Sequence, residues 1–152
     1  MTQEWQLGEY IISTDKHLLD ISAIHSFLTT SYWAEGIPFE TVKKSIEHSL
    51  NFGVYTAGKQ VGFARVITDY ATYAYIGDVF ILEDFRGQGL GIWLMQVIAE
   101  YPELQGLRRW SLLTGDAHEL YRKTGFQELQ NPKLYMEKAI PDIYKREAYK
   151  LD

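Results

Sequence analysis

The chain has 152 residues and a formal net charge of −5, from 15 Lys and Arg against 20 Asp and Glu. A single domain over residues 1–152 suits this length, and a hydrophobic share of 46% is too high for a disordered chain. Cysteine is absent, which excludes disulfides, thiolate metal sites and a covalent cysteine intermediate. No basic block exceeds two residues, which argues against nucleic acid as a partner because its binding requires many phosphate contacts.

No apolar run approaches the ~20 residues of a membrane span, and the N-terminus lacks the basic start and apolar stretch of a signal peptide. We therefore expect a cytoplasmic protein with no membrane partner. His17, His25 and His48 have no metal-ligand spacing with one another or with carboxylates, so no metal site is predicted.

The first third of the chain predicts one strand and two helices. Glu9–Ser13 is typical of a short strand, and the apolar spacing of Asp15–Thr29 predicts a helix capped near its first residue. An aromatic loop, Ser31–Pro38, ends with glycine and proline. A second helix is predicted over Phe39–Leu50.

From residue 52 the apolar period becomes that of strands. Phe52–Thr56, Gln60–Ile67 and Tyr73–Ile81 are separated by short turns and predict an antiparallel meander. Arg109–Thr114 predicts a further strand, reached through a helix. We expect it to run parallel to Tyr73–Ile81, joined by a right-handed crossover.

The C-terminal part predicts a short helix over Asp116–Thr124, ended by Gly125, and then two strands at Phe126–Leu129 and Lys133–Lys138. The fold class is α/β (α+β). We expect a central mixed, mostly antiparallel sheet of six to seven strands, with helices on both faces.

A glycine-rich turn joins the last meander strand to the next helix. Its glycines at 87, 89 and 91 permit positive φ and the close approach of a ligand. The first N–H groups of the helix lack partners and lie at the positive end of its dipole. The turn therefore predicts an anion cradle, most often for phosphate. The apolar face of the following helix comprises Leu90, Leu94, Val97, Ile98 and Tyr101.

Spacing separates three phosphate-binding patterns. The Walker pattern Gly-x4-Gly-Lys-Ser/Thr is absent. A dinucleotide pattern, Gly-x-Gly-x-x-Gly, that began at Gly87 would need a third glycine where Ile92 stands. The pattern Arg/Gln-x-x-Gly-x-Gly/Ala is satisfied in full by Arg86, Gly89 and Gly91.

At these residues the chain resembles the GCN5-related N-acetyltransferase (GNAT) superfamily. Arg86–Gly91 looks like the family's acetyl-CoA pyrophosphate loop, and Ala117–Phe126 resembles its second motif, a tyrosine followed by Gly-Phe. The order of elements is also the family's, over roughly residues 7–138, and a Ser-Tyr-Trp loop resembles that of small bacterial members.

The resemblance implies the GNAT fold and direct acetyl transfer from the co-substrate acetyl-CoA to a primary amine of a small molecule or a protein. A non-catalytic acyl-CoA sensor of the same fold is the alternative. A homodimer is also expected, since many relatives dimerise.

The resemblance further implies where the cofactor binds. The backbone of the strand before the turn would pair with pantetheine, and the loop amides would hold the pyrophosphate. Thr114 and Asp116 stand where many relatives have a cofactor-contacting asparagine, and Lys123 is a candidate for the adenosine phosphates. The predicted cofactor-binding residues are Val79, Phe80, Ile81, Arg86, Gly87, Gln88, Gly89, Leu90, Gly91, Thr114, Asp116 and Lys123.

Acetyl transfer to an amine needs a group that takes the ammonium proton and an acid for the CoA thiolate. Tyr121 occupies the family's tyrosine position and is the candidate acid. Asp78, expected on one strand face with Phe80 and Ile76, is the candidate base or ammonium anchor, and His118 is its rival. Aromatic faces attract cations. The candidate substrate-binding residues are Tyr32, Trp33, Tyr75 and His118.

Overall fold

A six-stranded sheet runs through the computed structural model, which describes residues 1–146; residues 147–152 of the predicted domain lie outside the described residues. The strands lie side by side in sequence order. Every neighbouring pair is antiparallel except the last, which is parallel. The strands are β1 (Glu4–Leu7), β2 (Tyr10–Ser13), β3 (Leu50–Thr56), β4 (Lys59–Thr68), β5 (Tyr73–Ile81) and β6 (Arg109–Leu112).

Helices cover both faces of this sheet. They are α1 (Ile21–Leu28), α2 (Phe39–Glu47), α3 (Leu90–Glu100) and α4 (His118–Arg122). On one face α1 and α2 pack with Phe63 and Phe80. On the other, α3 packs on a larger cluster that includes Phe52 and Ile76. The predicted mixed sheet between two helical layers is confirmed. Within residues 1–146 no helix is long and apolar enough to cross a membrane.

The strands at the centre of the sheet are connected as predicted. β3 and β4 are joined by Ala57 and Gly58, whose φ values of 49° and 74° fit the tight turn that hairpin strands prefer. β5 leads through α3 into the parallel strand β6, as expected. The predicted apolar face of α3 is buried throughout, which anchors the helix beside the turn that precedes it.

The three elements predicted in the first fifty residues are present, but their boundaries or their neighbours differ from the prediction. The single strand predicted at Glu9–Ser13 is the second half of a hairpin, because Gly8, with φ of 60°, lets β1 fold back on β2. The helix predicted from Asp15 begins later, since a 3₁₀ turn at Lys16–Leu18 intervenes and the Asp20 carboxylate caps α1 through the Ala23 N–H. The second helix, α2, ends at Glu47, and Leu50 begins β3.

The two strands predicted at Phe126–Leu129 and Lys133–Lys138 are also wrong. Neither segment pairs with a strand among residues 1–146, and a short 3₁₀ turn that opens at Pro132, which lacks an N–H, includes the first two residues of the second segment. Leu134 and Met136 are 76% and 96% exposed. Both segments are therefore irregular where strands were predicted.

A bulge in β5 changes which face its side chains occupy. Phe63 of β4 faces Phe80, and Arg65 faces Gly77, so β5 has one residue more than β4 between these pairs. As a result Ile76 packs in the α3 cluster and Phe80 in the α1–α2 cluster. The expectation that Asp78 shares a face with both is wrong, because Ile76 and Phe80 lie on opposite faces.

Candidate active site

The turn before α3 presents unpaired backbone amides. Gly87 and Gly89 have φ values of 79° and 82°, a conformation that favours glycine, and no atom lies within 4 Å of the Cβ that either would carry. Within residues 1–146 the N–H groups of Gln88 to Gly91 donate no hydrogen bond. Four free donors at the start of an eleven-residue helix fit an anion such as a pyrophosphate.

Two side chains of the same turn form hydrogen bonds with protein atoms. Arg86 Nε donates to the Ile81 carbonyl at 2.8 Å. Gln88 accepts from the Tyr10 hydroxyl at 3.0 Å and donates to the Phe85 carbonyl at 3.2 Å. Leu90 is buried, so its backbone amide alone is available to a ligand. Arg86 and Gln88 thus hold the shape of the cradle through contacts with protein atoms.

β5 and β6 separate just before this turn. Their pairing runs from Tyr73 with Arg109 to Ile76 with Leu112 and then stops, whereas Phe80 and Ile81 remain paired with β4. The edge of Val79–Ile81 that faces away from β4 therefore pairs with no strand among residues 1–146, and beside the Arg86 contact to the Ile81 carbonyl it can take an extended amide-bearing chain. The Phe80 ring is buried and stacks on Phe27 with ring centroids 4.0 Å apart, so this side chain belongs to the core.

A cavity of about 500 Å³ lies where the two strands part. This volume is in the usual range for small-molecule sites. It brings together eight predicted site residues: Tyr32, Trp33, Tyr75, Asp78, Val79, Thr114, Asp116 and Tyr121. Its wall also includes Thr41, Ser45, Arg65 and Tyr144, which the sequence analysis did not single out.

The Asp78 carboxylate is held from two sides. Its Oδ2 accepts from Arg65 Nε at 2.8 Å, and its Oδ1 accepts from the Trp33 indole N–H at 3.1 Å. Arg65 also donates to Ser49 Oγ at 3.1 Å. The missed residue, Arg65, had one signal in the sequence: it is a charged side chain in an otherwise apolar strand, like Asp78 itself.

Tyr121 reaches the cavity from α4. The Thr114 hydroxyl accepts from the Ala117 N–H at 3.0 Å and so fixes the start of the helix. Burial raises the pKa of the Tyr121 phenol to about 12, and the nearby Tyr32 and Asp116 add to the shift. Within residues 1–146 the Tyr121 hydroxyl forms no hydrogen bond. It is therefore a protonated donor at neutral pH with its hydrogen free for a ligand.

The loop before α2 crosses the cavity mouth. The Tyr32 hydroxyl accepts from the Gly115 N–H at 2.8 Å and lies 3.4 Å from an Asp116 carboxylate oxygen. Trp33, the next residue, contacts Asp78. The loop thus bridges β5 and the segment that follows β6.

Other predicted residues lie outside this cavity. His118 is exposed and lines a second depression of about 460 Å³ along β6, with Tyr73 and Trp110. Lys123 is exposed at the end of α4 and forms no ion pair among residues 1–146. In the same part of the chain no group of three His, Cys, Asp or Glu side chains is placed to hold a metal ion.

The chain is similar to known proteins in sequence and in fold. Residues 48–128 match the family model described as "Acetyltransferase (GNAT) domain". The chain is 35% identical over 144 residues to "Putative acetyltransferase FG08082" of Gibberella zeae, with 80% of each covered. A crystal structure of a GNAT-family protein from Xanthomonas campestris pv. campestris is 47% identical, with a TM-score of 0.89 and coverage of 93% of this chain and 100% of that one.

A more distant structure, a Clostridium acetobutylicum protein solved with acetyl-CoA, shares the fold. Its TM-score is 0.62 at 15% identity, with 91% of this chain and 96% of that one covered. On the family model and the identity with the Gibberella zeae protein, the chain belongs to the GNAT family of acetyltransferases.

Proposed function

We propose that this protein transfers an acetyl group from acetyl-CoA directly to the amino nitrogen of a primary amine. The observation that carries this proposal is the placement of one cavity, containing Tyr121, at the point where β5 leaves β6. An open strand edge leads from that point to a turn with four unpaired amides.

The cofactor would lie along these features in order. The amides of Gln88 to Gly91 would bind the pyrophosphate, and the open edge of Val79 to Ile81 would pair with pantetheine amides. The thioester would then reach the cavity beside Val79, which lines it. Binding at both backbone surfaces would hold the reacting carbonyl in one position, which removes an entropic part of the barrier.

The amine must lose a proton before it attacks. A lysine-like ammonium has a pKa of ~10.4, so at pH 7 only about one molecule in a few thousand is the free nucleophile. Asp116 borders the cavity and forms no ion pair among residues 1–146. We assign to it the attraction of the ammonium and the transfer of its proton to solvent.

Tyr121 would act on the leaving group. The nitrogen attacks the carbonyl carbon, the carbon–sulfur bond breaks, and the sulfur gains negative charge and then a proton. Because the pKa of the phenol is about 12 and that of an alkyl thiol is ~8.5, complete transfer of its proton to the sulfur is uphill. We therefore propose that Tyr121 donates a hydrogen bond to the developing thiolate, and that the sulfur takes its final proton from the attacking nitrogen, which is positively charged once it has bonded to the carbonyl carbon and becomes the neutral amide nitrogen when it loses that proton.

A thiol-release assay tests the function. The protein is mixed with acetyl-CoA and a panel of primary amines, and free CoA is measured with a thiol reagent. The chain has no cysteine, so the protein adds no background. We expect amine-dependent CoA release and an acetylated amine by mass spectrometry. Acetyl-CoA binding without release for every amine would instead support the acyl-CoA sensor.

A further inference from the structure

We propose that Asp78 is a positioning residue: with Arg65 and Trp33 it secures the β5 bulge and closes the Tyr32–Trp33 loop over the acceptor cavity, and it does not act as the general base. This inference rests on the proposed acetyl transfer, since the cavity it describes is the acceptor side of that site.

The first support is the backbone at the bulge. Asp78 has a φ of 55°, in the left-handed region that side-chain-bearing residues rarely adopt. Neither Asp78 nor Val79 has a register partner on β4, because the pairs on either side are Gly77 with Arg65 and Phe80 with Phe63. Such a conformation persists only where surrounding contacts determine it.

The second support is the ion pair across that bulge. Arg65 Nε lies 2.8 Å from Asp78 Oδ2, and the two side chains are 16% and 12% exposed. Solvent and salt screen such a pair less than a surface pair. Arg65 is itself oriented by Ser49. The carboxylate therefore ties β5 to β4 where the ladder between them is interrupted.

The third support is the loop. Trp33 is 42% exposed, and its indole N–H donates to the second Asp78 oxygen at 3.1 Å. Its neighbour Tyr32 accepts from the Gly115 N–H beyond β6 at 2.8 Å. The two contacts fasten the loop on opposite sides of the gap between β5 and β6. Breaking the Asp78 contact would free one side and so loosen the wall that the amine must contact.

A role as base conflicts with these contacts. Both carboxylate oxygens already accept a hydrogen bond, one of them from a guanidinium. Protonation of Asp78 would remove its charge and leave a largely buried Arg65 without its anion, which is costly. The proton of the amine is better taken elsewhere.

Asp78→Asn separates the two roles. Asparagine keeps the shape, tolerates the left-handed backbone and keeps one oxygen acceptor, but it has no basic carboxylate. A positioning role predicts that kcat stays within about tenfold of wild type, that KM for the amine rises, and that the pH profile of turnover keeps its shape. The proposal would be overturned if turnover fell by about two orders of magnitude or more and the acidic limb of that profile were lost.

Trp33→Phe tests the loop. It removes the N–H donor and keeps an aromatic ring, so KM for the amine should rise several-fold while the Kd of acetyl-CoA is unchanged. The matched control is Trp110→Phe, whose indole lies outside the cavity lining. Equal kinetic effects of the two substitutions would contradict the proposed contact.

A readout without turnover keeps this inference separate from the proposed function. The four tryptophans give four indole N–H signals in a ¹⁵N NMR spectrum, and Trp33→Phe identifies one of them. In Asp78→Ala that signal should shift and exchange with solvent faster, whether or not any amine is acetylated. An unchanged Trp33 signal in a folded Asp78→Ala protein would contradict the inference, even if the wild-type protein shows normal turnover.

Discussion

Tyr121 has a buried phenol at the cavity wall, and its protein neighbours leave the hydroxyl without a hydrogen bond among residues 1–146. If it stabilises the leaving thiolate, Tyr121→Phe should lower kcat by about 10²-fold, because one preorganised donor is lost. The Kd of acetyl-CoA, measured by calorimetry, should change little, since the donor acts on charge that develops during the reaction.

The control for this variant is Tyr70→Phe, which removes a hydroxyl from a tyrosine that does not line the cavity. Its kcat should match wild type. A Tyr121→Phe enzyme with unchanged turnover would remove Tyr121 from the chemistry.

Asp116 and His118 stand two residues apart and differ in access to the cavity. Asp116 lines the cavity, whereas His118 lines the depression along β6. Asp116→Asn should lower kcat/KM for a cationic amine by about tenfold at low ionic strength and less at high salt, because the attraction of an exposed carboxylate is screened. His118→Ala should leave kcat/KM within twofold. The reverse pattern in steady-state assays would restore His118 as the candidate base.

At the scale of elements, two glycines allow a matched test of the cradle. Gly58, in the β3–β4 turn, and Gly89, before α3, have φ of 74° and 82°, and both have open space where a Cβ would lie. Alanine at either position should cost stability by roughly 1–2 kcal/mol through backbone strain. We expect only Gly89→Ala to weaken acetyl-CoA binding, by tenfold or more, because it moves the amides of the turn.

Gly89→Glu extends the same test with charge. Its carboxylate would stand where the pyrophosphate is expected, so acetyl-CoA binding should be lost in calorimetry while the far-UV spectrum stays native. Wild-type affinity in Gly89→Glu would show that the cofactor does not use this turn.

The elements that the sequence predicted well share a local cause. The period of α3, the glycine turn and the short hairpin link at Gly58 depend on neighbouring residues, and these residues are visible in the sequence. The differences have other causes. β1 is the missed half of the hairpin that turns at Gly8, and Lys133–Lys138 is no strand because no strand lies beside it among residues 1–146.

The same distinction applies inside the site. Tyr121 and the turn glycines belong to local motifs and were predicted. The pairing of Arg65 with Asp78 was not, because it requires the register of β4 against β5, and the bulge shifts that register by one residue. Gly77, inside the strand, is a sequence signal for a bulge, but the positive φ falls on the next residue, Asp78, which the sequence did not indicate.

At the scale of the whole molecule, the sheet sets the geometry of the site. Strands β1 to β5 stay paired to form a continuous support, and α3 and α1–α2 cover its two faces. Beyond Ile76 and Leu112, the strands β5 and β6 part. The edge proposed for the cofactor and the cavity proposed for the amine therefore share strand β5, and a site built on a strand holds reacting groups more closely than one built on loops.

The buried tyrosines of the sheet and helices make the free energy of unfolding fall at alkaline pH. Burial raises the pKa values of Tyr55, Tyr75, Tyr101 and Tyr121, the last to about 12. In the unfolded chain these phenols ionise near pH 10, so that state loses protons first as the pH rises. Their contribution to stability is fully present below about pH 10 and is lost as the pH rises above it; for Tyr121 the loss is complete near pH 12.

Two spectra followed together through an alkaline titration check this prediction. Phenolate absorbance from the buried tyrosines should appear in the same pH interval in which the far-UV circular dichroism is lost, because the phenols ionise as the chain unfolds. The exposed tyrosines should ionise earlier, with no change in circular dichroism. If every tyrosine ionised near pH 10 in a protein that kept its native spectrum, burial would not be protecting these phenols, and the raised pKa assigned to Tyr121 would be wrong as well.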